Sequence, residues 1–142
     1  RREYSRVELR HRLASGGDID ADGADAVEAL LDELAALGFL SDARFAQSVV
    51  RQKSGGYSKR AIGASLKARG VDGDAATVAL AGVDIDDLDA MVALWRRRFG
   101  RPPANDKEKA RQVRFLQSRG FALSAIFKLL RNLPGEAEAY TG

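Results

Sequence analysis

Apolar residues along this chain return every three or four positions and nowhere alternate with period two, so the pattern predicts helices and no strands. Tyr4, Leu9 and Leu13 mark a first helix ending at Ala14, with Ser5 and Glu8 spaced as a capping box. Ala26 to Leu37 follows, with Val27, Leu30, Leu31, Leu34 and Leu37 as a broad apolar face and Asp22 or Asp25 as its cap. Ser41-Asp42 opens a helix to about Lys53 that turns Phe45, Ala46 and Val49 inward. Ser58 caps the next, whose buried stripe is Ile62 and Leu66. Asp72 to Leu80 reads as a short, weak helix. Asp84 to Phe99 is stronger, with Leu88, Met91, Val92, Trp95 and Phe99 on one face, and Pro102-Pro103 end it. Asp106 to Arg119 packs through Val113 and Leu116 with Phe115 nearby. Ser124 to Asn132 carries Ile126, Phe127, Leu129 and Leu130, and the tail after Pro134 reads as frayed.

The helix stops recur. Leu34, Leu66 and Leu116 are each followed, four residues on, by a glycine (Gly38, Gly70, Gly120) and then by an apolar residue, the signature of a left-handed closure. Leu13 to Gly17 has the same spacing, with Asp18 in the apolar position. Tyr4-Ser5-Arg6 aligns with Tyr57-Ser58-Lys59 at an offset of 53, which lays Leu13 on Leu66 and Gly17 on Gly70. A further offset of 50 lays Leu66 on Leu116, Arg69 on Arg119 and Gly70 on Gly120. A basic stretch precedes each copy: Arg1-Arg2, Arg51 to Lys53, and Arg96 to Arg98. The chain is therefore all-α, built of three tandem helical repeats over 1–40, 41–83 and 84–134, with a tail at 135–142. Small units joined by short loops predict an elongated, curved array. In this register the first repeat lacks its first helix, so residues before Arg1 are expected to be missing.

The 142 residues contain no cysteine, which removes disulfides and thiolate metal sites and fits a reducing, cytoplasmic setting. No apolar run approaches the length of a membrane span. Catalysis has little to work with: His11, the only histidine, sits between two arginines, and no P-loop or dinucleotide fingerprint occurs. Asp18, Asp20 and Asp22 with Gly23 imitate the start of a calcium loop, but Ala29 stands where the bidentate glutamate belongs. An acidic capping turn is the simpler reading. No enzyme, cofactor or metal is expected.

Net charge is only +3, yet it alternates in blocks: +3 over 1–14, −7 over 15–48, +6 over 51–70, −6 over 72–90 and +7 over 96–119. Such a field steers association with a charged partner unless opposite blocks neutralise one another.

The repeated motifs resemble the RecX family, bacterial regulators of the RecA recombinase. Gly38 to Ala46, Ser58 to Ile62 with Leu66 and Arg69-Gly70-Val71, and Lys107 to Lys109 through Arg114-Phe115-Leu116 with Arg119-Gly120-Phe121 and Ile126 carry the resemblance. It covers nearly the whole chain in order. It implies three tandem three-helix repeats and a monomer that binds the RecA–single-stranded DNA filament. Filament growth, ATP hydrolysis, strand exchange and co-protease function would fall, which sets the protein in DNA repair and the SOS response.

A modular basic array fits a helical groove floored with nucleic acid, since several weak contacts on one scaffold add through effective concentration. The binding candidates are Arg60 and Lys67, beside the small Gly63 and Ala64; Arg96, Arg97, Arg98 and Arg101; and Lys107, Lys109, Arg111 and Arg114. Non-specific duplex contact is compatible with the same residues. A helix-turn-helix protein reading duplex DNA is the alternative, and its weakness is the lack of a helix mixing Asn, Gln and Arg as base-edge readers do. A helical adaptor that touches no nucleic acid would follow if every basic block paired internally.

Overall fold

Eight helices make up the regular secondary structure of the computed structural model, which describes residues 2–15, 17, 20–83 and 86–133; no strand occurs among them. They are α1 (Arg6–Ala14), α2 (Ala21–Ala36), α3 (Asp42–Lys53), α4 (Lys59–Ala68), α5 (Gly73–Ala81), α6 (Asp87–Arg98), α7 (Asp106–Ser118) and α8 (Leu123–Arg131). The basic end at Arg1, the Gly16 and Asp18 positions, the Asp84 helix start and the tail from Pro134 lie outside the described residues.

Local chemistry sets the helix ends. The capping box of α1 is complete: Ser5 Oγ accepts from the Glu8 amide at 3.0 Å while the Glu8 carboxylate accepts from the Ser5 amide. Helix α2 is capped by Asp20, which accepts from Gly23 N–H at 2.8 Å, and not by Asp22 or Asp25; the helix starts five residues before the expected Ala26. After Leu34, Leu66 and Leu116 the chain closes as expected. The amide after each glycine donates back to that leucine's carbonyl, at 2.9 Å for Phe39, 2.9 Å for Val71 and 3.3 Å for Phe121. Val71 and Phe121 are then buried. Phe39 is 60% exposed, and Leu40 takes the buried place instead.

Two compact units form, each with its own interior. The first contains described residues of Arg1–Gln52 and Gly63–Val83. Helix α3 contributes the most buried side chains to it, Phe45, Ala46, Val49 and Val50. Helix α2 buries only Leu31, and Leu37 stays 62% exposed at its end, so the broad apolar face expected there is a narrow one. Charge fastens α1 to α2: Arg6 meets Asp32 at 2.6 Å and Arg10 meets Glu28 at 2.9 Å.

The second unit contains described residues of Lys53–Ile62 and Asp84–Gly142. Its core joins Met91, Leu94 and Trp95 of α6 to Leu116 of α7, Phe121, and Ile126 and Leu129 of α8. Leu88, expected inside, is 60% exposed, while Leu94 is buried. The stripe of α6 thus runs through the i, i+3, i+4 set at 91, 94 and 95.

Each unit contains the same junction. In the first, Ser5 Oγ donates to the Arg69 carbonyl at 2.6 Å, the Arg6 amide donates to Asp42 at 2.8 Å, and Val7 packs on Gly70. In the second, the Ser58 amide donates to the Arg119 carbonyl at 2.9 Å, the Lys59 amide donates to Asp87 at 2.9 Å, and Ser58 and Ala61 pack on Gly120. A first-turn amide, which has no partner inside its own helix, is thus satisfied by the first residue of a distant helix. Ser5 and Ser58 are fully buried for this reason.

Candidate nucleic-acid interface

Because Met91, Leu94 and Trp95 face the core, the residues that follow them in α6, Arg96, Arg97 and Arg98, are left on the outside of its last turn. That is where the helix dipole favours cations. Gly100, in the left-handed region at φ +69°, then turns the chain into Arg101-Pro102-Pro103. Buried Gln112 fixes this turn to the core. Its Oε1 accepts from Trp95 Nε1–H at 2.8 Å, and its Nε2 donates to the Arg101 carbonyl at 3.1 Å. Asn105 caps α7 by accepting from Glu108 N–H at 2.9 Å, and the Glu108 carboxylate accepts from Ala104 N–H at 2.8 Å. Arg98, Arg101 and Arg111 meet around one open cleft of about 340 Å³, which Phe99, Glu108 and Gln112 also line.

On α7 the spacing i, i+4, i+7 puts Lys107, Arg111 and Arg114 on one face, all exposed. Lys109 turns away from them, its Nζ 5.7 Å from the centre of the Phe127 ring. Arg60 is tied to the helix stop, donating to the Gly120 carbonyl at 3.4 Å. Lys67 belongs to the first unit, whereas all the other candidates belong to the second.

The charge blocks behave differently in the two units. All five ion pairs among the described residues lie within residues 2–44, so the basic start of the chain is largely neutralised by its acidic neighbour. Residues 96–119 hold nine basic and two acidic side chains. Arg97, Arg98, Arg101, Lys107, Lys109, Arg111 and Arg114 have no carboxylate within 4 Å among the described residues. A concentrated positive surface, nine cations against the two acids Asp106 and Glu108, is what a polyanion binds.

Sequence reasoning missed Gln112, which reads as one more polar position on a basic helix. Its signal is positional: it falls four residues before Leu116, on the buried stripe. Gln112→Ala leaves the Trp95 N–H buried without a partner and is expected to cost about 1–3 kcal/mol. A urea titration followed by helical circular dichroism measures this, and a loss within error of zero would refute the role given to Gln112.

His11 is exposed on α1, and no group of His, Cys, Asp or Glu among the described residues is arranged to hold a metal ion. Asp20 is engaged as a helix cap, and Asp18 of the calcium-like stretch lies outside the described residues.

Residues 41–80 match the family model described as RecX, second three-helix domain, and residues 84–130 match RecX, third three-helix domain. The regulatory protein RecX of Leptothrix cholodnii is 42% identical over 92% of this chain and 80% of its own length. That of Chromobacterium violaceum is 45% identical over 92% of this chain and 82% of its own. The crystal structure of RecX from Lactobacillus salivarius matches with a TM-score of 0.64, covering 92% of this chain and 87% of that one. At 22% identity that is a likeness of fold.

Proposed function

The chain belongs to the RecX family of regulatory proteins, and from that premise we propose that it binds the RecA–single-stranded DNA filament and restrains its recombinase, ATPase and co-protease activities. The observation that carries this reading is the basic stretch 96–119, eight of whose nine cations, all but Arg96, have no carboxylate within 4 Å among the described residues. Arg97, Arg98, Arg101, Lys107, Arg111 and Arg114 are the proposed contacts, with Arg96, Lys109, Arg60 and Lys67 at the margin.

Each cation that meets a phosphate releases condensed counterions, so affinity is independent of base sequence and falls steeply with salt. Action by binding alone accords with relatives named as regulators. It needs no bound cofactor, and the proposed setting is the cytoplasm, where the filament forms. No helix among the described residues is long and apolar enough to cross a membrane.

The test is the DNA-stimulated ATPase of RecA. Adding the protein is expected to lower the steady-state rate, and raising salt is expected to relieve the inhibition. Random single strands are expected to bind at least as tightly as duplexes. Sequence-selective duplex binding with an unchanged ATPase would overturn the proposal in favour of a helix-turn-helix reader.

A further inference from the structure

One cluster of the second unit begins at Phe99 and Phe115, which pack against the core, and extends beyond it. Tyr57 lies between two cations: Lys53 Nζ is 4.3 Å and Arg119 Cζ 4.5 Å from its ring centre. The Arg119 guanidinium is also 5.0 Å from the centre of Phe115, and Arg98 Cζ is 5.0 Å from the same ring. Lysine, tyrosine, arginine, phenylalanine and arginine thus form one continuous ladder. The loop beside it supplies two carbonyls. Gly56 O accepts from Arg119 Nη1 at 3.2 Å, and Gly55 O accepts from Arg97 Nη2 at 3.4 Å. Phe99 meets Phe115 edge-on at 5.5 Å and braces that ring.

This arrangement concentrates positive charge. Lys53, Arg97, Arg98 and Arg119 have no carboxylate within 4 Å among the described residues. Ring faces and carbonyls attract cations without neutralising them, so the four stay available to an anion. They also limit the rotamers of long side chains, and a ligand that meets a held guanidinium loses less entropy on binding. A guanidinium has five N–H donors, so one bond to a carbonyl leaves most of them for a ligand.

The molecule contains its own control. Tyr4, the repeat partner of Tyr57, also carries two cations, with Arg2 Cζ at 4.7 Å and Arg12 Cζ at 5.3 Å from its ring centre. There, however, Arg2 is 3.8 Å from Glu8, and the nearby arginines 6, 10 and 44 are all ion-paired. The same ring-and-cation motif is partly neutralised in one unit and left charged in the other.

We propose that the Tyr57 ladder is a seat for phosphates of a single-stranded nucleic acid, in which Lys53, Arg98 and Arg119 make the contacts and Tyr57 and Phe115 are positioning residues. The inference rests on the nucleic-acid half of the function proposed above and adds Lys53 and Arg119 to it. A single strand is favoured over a duplex because its backbone bends to meet cations whose positions the rings fix, and because rings set among cations are the usual make-up of single-strand grooves.

The test is the full chain binding a fluorescent oligothymidylate, followed by anisotropy at several salt concentrations. Lys53→Gln with Arg119→Gln is expected to weaken binding about tenfold and to lower the slope of log K against log salt by about 1.4, two phosphate contacts at about 0.7 each. Arg119 also holds Gly56, so Lys53→Gln with Arg98→Gln serves as the variant that leaves that hydrogen bond intact, with the same expected change. Tyr57→Leu keeps every charge and is expected to weaken binding about threefold, Tyr57→Phe to restore it, and Tyr4→Leu to change nothing. A folded Lys53→Gln, Arg98→Gln protein with wild-type affinity and slope would overturn the seat, and so would a loss confined to duplex DNA. If that variant binds normally while the wild type still inhibits the recombinase ATPase, the seat is wrong and the proposed function stands. If the ladder binds single strands and the ATPase is untouched, the seat stands without the function.

Discussion

Gly70→Ala is expected to lower the unfolding free energy by about 2–5 kcal/mol, whereas Gly38→Ala costs only about 1–2 kcal/mol. The two glycines have nearly the same backbone conformation, φ +86° and φ +81°, so the left-handed strain imposed on alanine is common to both. Their surroundings differ. A Cβ at Gly38 meets nothing within 4 Å, while one at Gly70 falls 2.5 Å from Cγ2 and 2.8 Å from Cγ1 of Val7, and closer still to its Cβ. A Cβ is anchored to the backbone, so relief requires α1 itself to shift, and with it the bond from Ser5 Oγ to the Arg69 carbonyl. Denaturant titrations of the two variants measure the difference. Adding Val7→Ala to Gly70→Ala should recover part of the loss, since truncation removes the two Cγ contacts. Equal costs at both glycines would mean that the junction contributes nothing beyond turn geometry.

That contrast separates what was legible in the sequence from what was not. The Ser5–Glu8 box, the cap at Ser58 and the three glycine closures depend on residues within five positions of one another, so reading the chain locally finds them. Helix spans follow from periodicity for the same reason. The junction does not, because it joins Arg6 to Asp42 and Lys59 to Asp87 across separate helices. Asp42 and Asp87 look like ordinary first-turn acids of their own helices, and nothing nearby in sequence reveals the second amide each serves. The misplacements at Leu37 and Leu88 have another cause. Periodicity defines an apolar stripe, but the neighbouring helix decides which edge of it is covered. On α6 the covered edge includes Leu94 and leaves Leu88 in solvent.

The binding candidates divide along similar lines. Composition located the basic stretch from Arg96 to Arg114, and the lack of a carboxylate partner among the described residues for Arg97, Arg98, Arg101, Lys107, Lys109, Arg111 and Arg114 separates it from the neutralised start of the chain. Its internal order needed the fold. Helical geometry gathers Lys107, Arg111 and Arg114, turns Lys109 aside, and brings Arg98 and Arg101 to Arg111 around one cleft. Arg60 looked like part of an open basic face, and its guanidinium instead reaches the Gly120 carbonyl of the helix stop.

Reversing the shared face of α7 is expected to have the larger effect on binding. Lys107→Glu, Arg111→Glu and Arg114→Glu together should weaken single-strand binding by about 10²-fold or more near 0.1 M salt, taking each exposed charge pair at up to about 1 kcal/mol and adding the repulsion that replaces it. The salt slope should fall by about 2, three contacts at about 0.7 each. Stability should barely change. The three side chains are exposed, none has a side-chain partner among the described residues, and an acid at position 107 complements the N-terminal end of the α7 dipole. The corresponding glutamine triple removes attraction without adding repulsion, so its affinity should fall between wild type and reversal. Lys109→Glu, off the face and beside Phe127, should cost several-fold less than reversal at any one of the three. Inhibition of the recombinase ATPase should decline in the same order as the DNA affinities if the filament is held through its nucleic acid. If the reversed protein keeps its helical signal and still inhibits at wild-type concentrations, the α7 face is solvated surface, and the contact with the filament lies on the protein side of the groove.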